Sequence, residues 1–168
     1  MTRARLIVVF APLAAIFIGA ACSTPSDSRF VATPPDAASF ALVAPVLVHH
    51  CGSLDCHGTP QRNLRIYGKE GLRLAPGDRP LHPDVTTPGE IAEDYASVVG
   101  LEPELMSAVV AEGGAHPERL TFVRKARGQE AHKAGTAVIQ QGDDSDTCIT
   151  SWLAGKTDAA ACDRALTP

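Results

Sequence analysis

Seven residues, Cys51-Gly52-Ser53-Leu54-Asp55-Cys56-His57, constrain this chain more than any other stretch. Two thiols and an imidazole lie so close along the backbone that they are either spent on each other or converge on something else. On a continuous helix five positions leave the two sulfurs about 140° out of line. A bulge or loop must therefore bring them back together. The rest of the chain has reason to rely on such a site. Aromatic residues make up only 5% of it, and 14 Gly and 13 Pro assign much of it to loops. A core this thin usually needs a covalent staple or a bound cofactor. Cys22, Cys148 and Cys162 bring the cysteines to five, an odd number that leaves one thiol for a separate task.

The compartment is read from the first residues. Arg3 and Arg5 precede Leu6 to Ala21, an uncharged run interrupted by Pro12 and followed by Cys22. The run is too short and too broken for a comfortable membrane span and has the pattern of an export signal. Ile18-Gly19-Ala20-Ala21-Cys22-Ser23 resembles the lipobox of bacterial lipoproteins, although Gly19 stands where that family usually has an aliphatic residue. The resemblance implies a signal peptide over 1–21 and an acylated Cys22, which is then the odd cysteine; ordinary cleavage near Ala21 is the alternative. Ser23 after the cysteine resembles outer-membrane-directed lipoproteins, which implies a lipid anchor in the envelope facing the periplasm. Ser23 to Ala38 is rich in Ser, Thr and Pro without an apolar period, so 22–38 reads as anchor and tether and 39–168 as the folded domain.

Within that domain the pattern is helical. Phe40, Val43 and Leu47 recur at helical spacing up to Cys51, with Pro45 at the first helical position or at a kink. Thr59 to Gly89 is punctuated by Pro and Gly and reads as a long loop, of a length that suits wrapping around something. Glu90 to Val99 and Glu102 to Glu112 read as helices, the second stopped by Gly113-Gly114, and Leu120 to Val123 as extended. Asp144 to Leu153 is the clearest helix, and Asp158 to Leu166 gives a short last one. The expected fold is mainly α, with long ordered loops.

Two thiols followed directly by a histidine suit covalent attachment of haem, each sulfur adding to a vinyl group while the adjacent imidazole reaches the iron. The flanks Ala44-Pro-Val-Leu-Val-His-His-Cys51 and Cys56-His57-Gly58 resemble the start of class I c-type cytochrome domains. His132-Lys-Ala-Gly135, followed by the helix carrying Trp152-Leu153-Ala154-Gly155, resembles their far end. The resemblance implies a small cytochrome c-like domain in which Cys51 and Cys56 bind haem c and His57 is the proximal ligand. The family's attachment motif usually has two residues between the cysteines; this one has four. In an oxidising compartment Cys51 and Cys56 can instead join each other, and zinc is a third use.

For the other side of the iron His132 is the first choice, Met106 the second and His116 the third; His49 and His50 read as an exposed pair. Arg62, Arg65 and Arg73, or Arg119, Arg124, Lys125 and Arg127, are candidate partners for haem propionates. Between Arg79 and Arg119 the chain has no Lys or Arg but eight acidic residues, which either steer a redox partner protein or pack internally. Cys148 and Cys162, fourteen residues apart on the last two helices, suit a disulfide worth ~3 kcal/mol. No nucleotide-binding motif occurs, and a net charge of −4 disfavours nucleic acid. Two readings result: a lipid-anchored electron carrier with covalent haem, not an enzyme, or a haem-free, disulfide-stapled envelope lipoprotein acting as a binding or structural module.

Overall fold

Pro45 lies inside the first helix, where it removes one main-chain donor yet leaves a continuous element from Phe40–Cys51 (α1). The structure is a computed structural model describing residues 30–132 and 136–167. Cys22, the signal peptide expected over 1–21 and the first part of the tether lie outside the described residues. The helices after α1 are Asp78–Leu81 (α2), Pro88–Val99 (α3), Pro103–Ala111 (α4), Thr121–Ala126 (α5), Asp144–Leu153 (α6) and Ala159–Arg164 (α7). The described residues are mainly helical, and their β pairing is confined to isolated bridges, Ser53 with Gly71 and Tyr67 with Leu72.

Local chemistry accounts for the helix ends. Thr87 and Glu90 form a reciprocal capping box at the start of α3, with Pro88 at its first position. Asp143 and Asp158 cap α6 and α7 by accepting from the N–H groups of Asp146 and Ala161. Gly113 and Gly114 both adopt positive φ where α4 ends, the left-handed conformation that glycine enters without a Cβ penalty.

The core is built around α1 and α6. Phe40 packs against Trp152 and Tyr95, with ring centroids 5.0 and 5.5 Å away, and Val43, Leu47, Ile149 and Leu153 are buried beside them. A disulfide joins Cys148 on α6 to Cys162 on α7, with Cα atoms 4.8 Å apart, as expected from the sequence.

Three expectations change. Leu120 to Val123 is not extended: Leu120 precedes α5, whose first N–H and Thr121 hydroxyl both donate to the Glu102 carboxylate, at 2.6 and 2.8 Å. A tertiary carboxylate at the helix N-terminus outweighs the local β preference of Thr, Phe and Val. Residues ahead of Ser39 are also tied to the helices. Thr33 N–H donates to the Ser107 hydroxyl, and Tyr95 and Trp152 donate to the carbonyls of Pro35 and Asp36. The acidic stretch, finally, divides: Glu90 and Asp94 are fully buried and Glu102 accepts from the start of α5, while Asp84, Glu93, Glu104 and Glu112 are exposed, Glu112 in a pair with Arg119.

Candidate cofactor site

The Cys51 to His57 motif begins where α1 ends. Gly52 N–H closes the helix on the Val48 carbonyl at 2.9 Å, and Ser53 to Cys56 then makes a turn, with Cys56 N–H donating to the Ser53 carbonyl at 2.9 Å. The decisive bond is His57 N–H to the Cys51 carbonyl, 2.9 Å. Had only two residues separated the cysteines, His57 would lie four positions after Cys51, and a continuous helix would make this same bond. The chain keeps that bond and extrudes the surplus as an exposed loop with Leu54 at its tip, 61% accessible. The base of the loop is tight. Ser53 bridges Gly71, and a Cβ on Gly58 or Gly71 would collide with the Gly52 carbonyl, so three backbone segments meet where only glycines fit.

The motif opens on a cavity of about 630 Å³, within the usual range for small-molecule and cofactor sites. Leu47 and Ile149 line it from the core, Leu64 and Ile66 from the loop after the motif, Phe122 from α5, and Val138 and Ile139 from the segment before α6. Its polar lining includes Gln61, Arg62, Asn63, Lys125 and Glu130. Cys51, Cys56, His57 and His132 all face it.

The two imidazoles meet inside this space, their centroids 5.6 Å apart and their planes inclined at 62°. Imidazoles binding one metal ion from opposite sides have ring centres roughly 6 Å apart, given metal–nitrogen bonds of about 2 Å. His57 Nδ1–H donates to the Leu64 carbonyl at 2.9 Å, which fixes the neutral tautomer with its lone pair on Nε2. That is the usual second-sphere arrangement of a metal-binding histidine. Burial is the main reason that the His57 pKa lies below its ordinary value, with His132 and Arg62 adding to it against the opposing Leu64 bond. Nδ1 of His132 is buried without a hydrogen-bond partner. His57 is therefore presented with Nε2 free, and His132 shares its cavity.

The thiols are equally poised. Cys51 and Cys56 are free, whereas Cys148 and Cys162 are joined, so the expected alternative of a Cys51 to Cys56 disulfide is not what the structure contains. Burial pushes the Cys51 thiol up to about 12, with the neighbouring Cys56 adding to the effect. Among the described residues no group of three or more His, Cys, Asp or Glu is placed to hold a metal ion alone. The two thiols and two imidazoles around this cavity are a donor set that a haem would fit.

The remaining sequence candidates separate. Met106 is 1% exposed in the core and is not part of the cavity lining. His116 adopts a left-handed backbone and pairs on the surface with Glu118. Of the neighbouring histidines, His49 is exposed, but His50 faces the cavity and hydrogen-bonds the Ser145 hydroxyl at 3.0 Å. Arg73 and Arg127 are taken up by buried ion pairs with Glu90 and Asp146, and Arg119 by its pair with Glu112. Of the proposed propionate partners, Arg62 and Lys125 line the cavity.

Sequence reasoning missed what positions His57. The segment from Leu64 to Tyr67 alternates its contacts. Ile66 N–H donates to the His57 carbonyl, and the Leu64 carbonyl accepts from the His57 ring. The N–H groups of Arg65 and Tyr67 turn the other way, to Ser97 and Asp94 on α3. Main-chain donors and acceptors have no sequence signature. No protein-family model, curated protein or solved structure matches this chain.

Proposed function

We propose that this chain is a c-type cytochrome-like electron carrier, covalently loaded with one haem and held at the envelope by a lipid on Cys22, facing the periplasm. The observation that carries the reading is the meeting of two free thiols and two imidazoles in one largely apolar cavity, with the rings 5.6 Å apart. Cys51 and Cys56 would hold the group through thioethers, each S–H adding across a vinyl double bond with no oxidant consumed, and His57 and His132 would be its protein ligands. When bound, the haem supplies a one-electron iron couple.

The chain's own residues do the rest. The Leu64 carbonyl orients His57 and raises the electron density of its ring. Leu47, Ile66, Phe122 and Ile149 exclude water from the cavity walls, while Arg62 and Lys125 offer cationic partners for carboxylates at its edge. Were His57 and His132 both to hold the group, the site would suit exchange of electrons with a partner protein.

The test is expression of the full chain in a host with c-type maturation, followed by haem staining of a denatured gel and a reduced-minus-oxidised spectrum. Haem that survives denaturation and is lost in the Cys51→Ala/Cys56→Ala variant is the expected result. No covalent haem, with a mass showing Cys51 joined to Cys56, would overturn the reading.

A further inference from the structure

One group beside the candidate site is buried without a role in it. Asp94, on α3, is fully buried, and its Oδ2 has no hydrogen-bond partner, while Oδ1 accepts from Tyr67 N–H at 2.6 Å. Ser97, one turn further along α3, accepts from Arg65 N–H at 2.9 Å. These bonds hold the outer edge of the segment whose inner edge holds His57 by ring and backbone. Four residues thus lie between α3 and the proximal histidine, with polar contacts on both sides.

We infer that Asp94 is a positioning residue that couples proton binding on α3 to the electronic state of His57 through the Leu64 to Tyr67 segment. The inference rests on the haem reading above and adds a regulation to that site. An ionised Asp94 is the stronger acceptor for Tyr67 N–H and so holds the Leu64 carbonyl firmly on the His57 ring. A more electron-rich His57 would favour an oxidised centre. Protonation relaxes the hold and would favour the reduced one. By linkage, oxidation lowers the affinity of Asp94 for its proton by the same factor.

Other groups act on Asp94. Burial is the main reason its pKa is raised to about 7; Tyr67 N–H opposes this, and Glu90 and Glu93 add to it. Glu90 is kept ionised by Arg73 and by the N–H groups of Thr87 and Leu74, so it acts as a fixed negative neighbour. The Tyr67 phenol also belongs to the segment facing Asp94. An unpaired carboxylate oxygen in a fully enclosed position is costly to keep charged, which suits a group that exchanges its proton.

The experiment has two arms on the full chain. In the first, without haem, the Asp94 carboxyl carbon and the His57 ring nitrogens are followed by NMR from pH 5 to 9. The expected result is an Asp94 titration near neutrality, mirrored in the His57 Nδ1 shift and absent from it in Asp94→Asn. In the second, with haem, the midpoint potential is measured over the same range. It is expected to fall with rising pH in the parent and in Ser97→Ala, and to be flat in Asp94→Asn, which keeps an acceptor for Tyr67 N–H. An Asp94 that titrates in the ordinary carboxylate range, or near neutrality without a response at His57, overturns the coupling and leaves the haem reading standing. A chain that takes up no haem overturns the haem reading, and the first arm then decides the coupling alone.

Discussion

Arg73→Met isolates the most consequential charge in the loop beside the cavity. The Arg73 guanidinium is 5% exposed and donates to both oxygens of the fully buried Glu90, at 2.6 and 3.2 Å, and to the carbonyls of His82 and Val85 at 3.0 Å. It therefore joins α3 to the segment after α2. Burial alone would raise the Glu90 pKa, but Arg73, Thr87 N–H and Leu74 N–H outweigh it and hold the carboxyl below its ordinary value. In the parent this pair contributes stability that is present above the unfolded pKa of Glu90 and is lost as pH falls through the folded one. Arg73→Met reverses the sign. An uncompensated buried Glu90 has its pKa raised, so the cost is absent in acid and grows as pH rises past the ordinary carboxylate range.

The size follows from the burial. Removing one partner of a buried, hydrogen-bonded pair costs about 3–5 kcal/mol, against a total stability of roughly 5–15 kcal/mol. The variant should unfold about 10 °C below the parent at pH 7. The assay is urea unfolding followed by far-UV circular dichroism from pH 3 to 8 for the parent, Arg73→Met, Glu90→Gln and the double variant. Asp94 is common to all four, so its own titration largely cancels in the differences. The gap between parent and Arg73→Met should be smallest at pH 3 and widen with pH, and the double variant should be more stable than Arg73→Met alone. A gap independent of pH, or additive effects in the double variant, would refute the reasoning.

Cys148→Ala/Cys162→Ala opens a crosslink spanning fourteen residues and should cost ~3 kcal/mol, read as a drop in midpoint that reductant reproduces in the parent. Asp94→Asn should be more stable than the parent at pH 8 and similar to it near pH 4. A raised folded pKa contributes stability that is present below the unfolded pKa and lost as pH rises through about 7, and denaturant titrations at the two pH values check it. Trp152→Ala should cost about 3–5 kcal/mol, because the ring is 1% exposed, packs on Phe40 and holds Asp36 by a 2.9 Å bond; limited proteolysis should then open the chain ahead of Ser39. In the haem-loaded protein, His132→Ala should convert the spectrum from six- to five-coordinate while Met106→Leu leaves it unchanged, and a sulfur-to-iron near-infrared band that persists without His132 would reverse that assignment.

What could be read from the sequence depended on where the information resides. The helices from Pro88 to Ala111 and from Asp144 to Arg164 announce themselves through apolar spacing and terminal Asp, Pro and Gly, so their limits were close to those observed. The Cys148–Cys162 pairing followed because no other cysteine use competed for those two helices. The segment at Leu120 was misread because its fate is decided by Glu102, eighteen residues earlier, and nothing local records that bond. The start of the domain was placed too late for a similar reason. The side chains of Tyr95 and Trp152 capture main-chain carbonyls in a stretch whose composition reads as tether. His57 and His132 were paired through resemblance alone, since no periodicity links residues so far apart. The acidic helices illustrate the opposite error of scale, in which charge counted along the chain overstates charge at the surface once Glu90 and Asp94 are buried.

The four-residue spacing is the feature whose weight changes most. Along the sequence it stands against thioether attachment, because a helix carried through both cysteines separates their sulfurs. The folded chain does not carry the helix through. It ends α1 at Cys51 and restores the helical hydrogen bond from His57 to the Cys51 carbonyl across the gap. The surplus emerges where Ser53, Leu54 and Asp55 are exposed, and lengthening an exposed loop costs little, about 0.6 kcal/mol for each doubling. The constraint moves to the base of the loop, where Gly52, Gly58 and Gly71 let the backbones close behind it. The spacing thus ceases to separate the haem-bearing reading from the disulfide-stapled one. The haem-bearing reading rests instead on the environment of the thiols, which face a cavity shared with His57 and His132, and haem staining together with the mass of the Cys51 to Cys56 segment decides between the two.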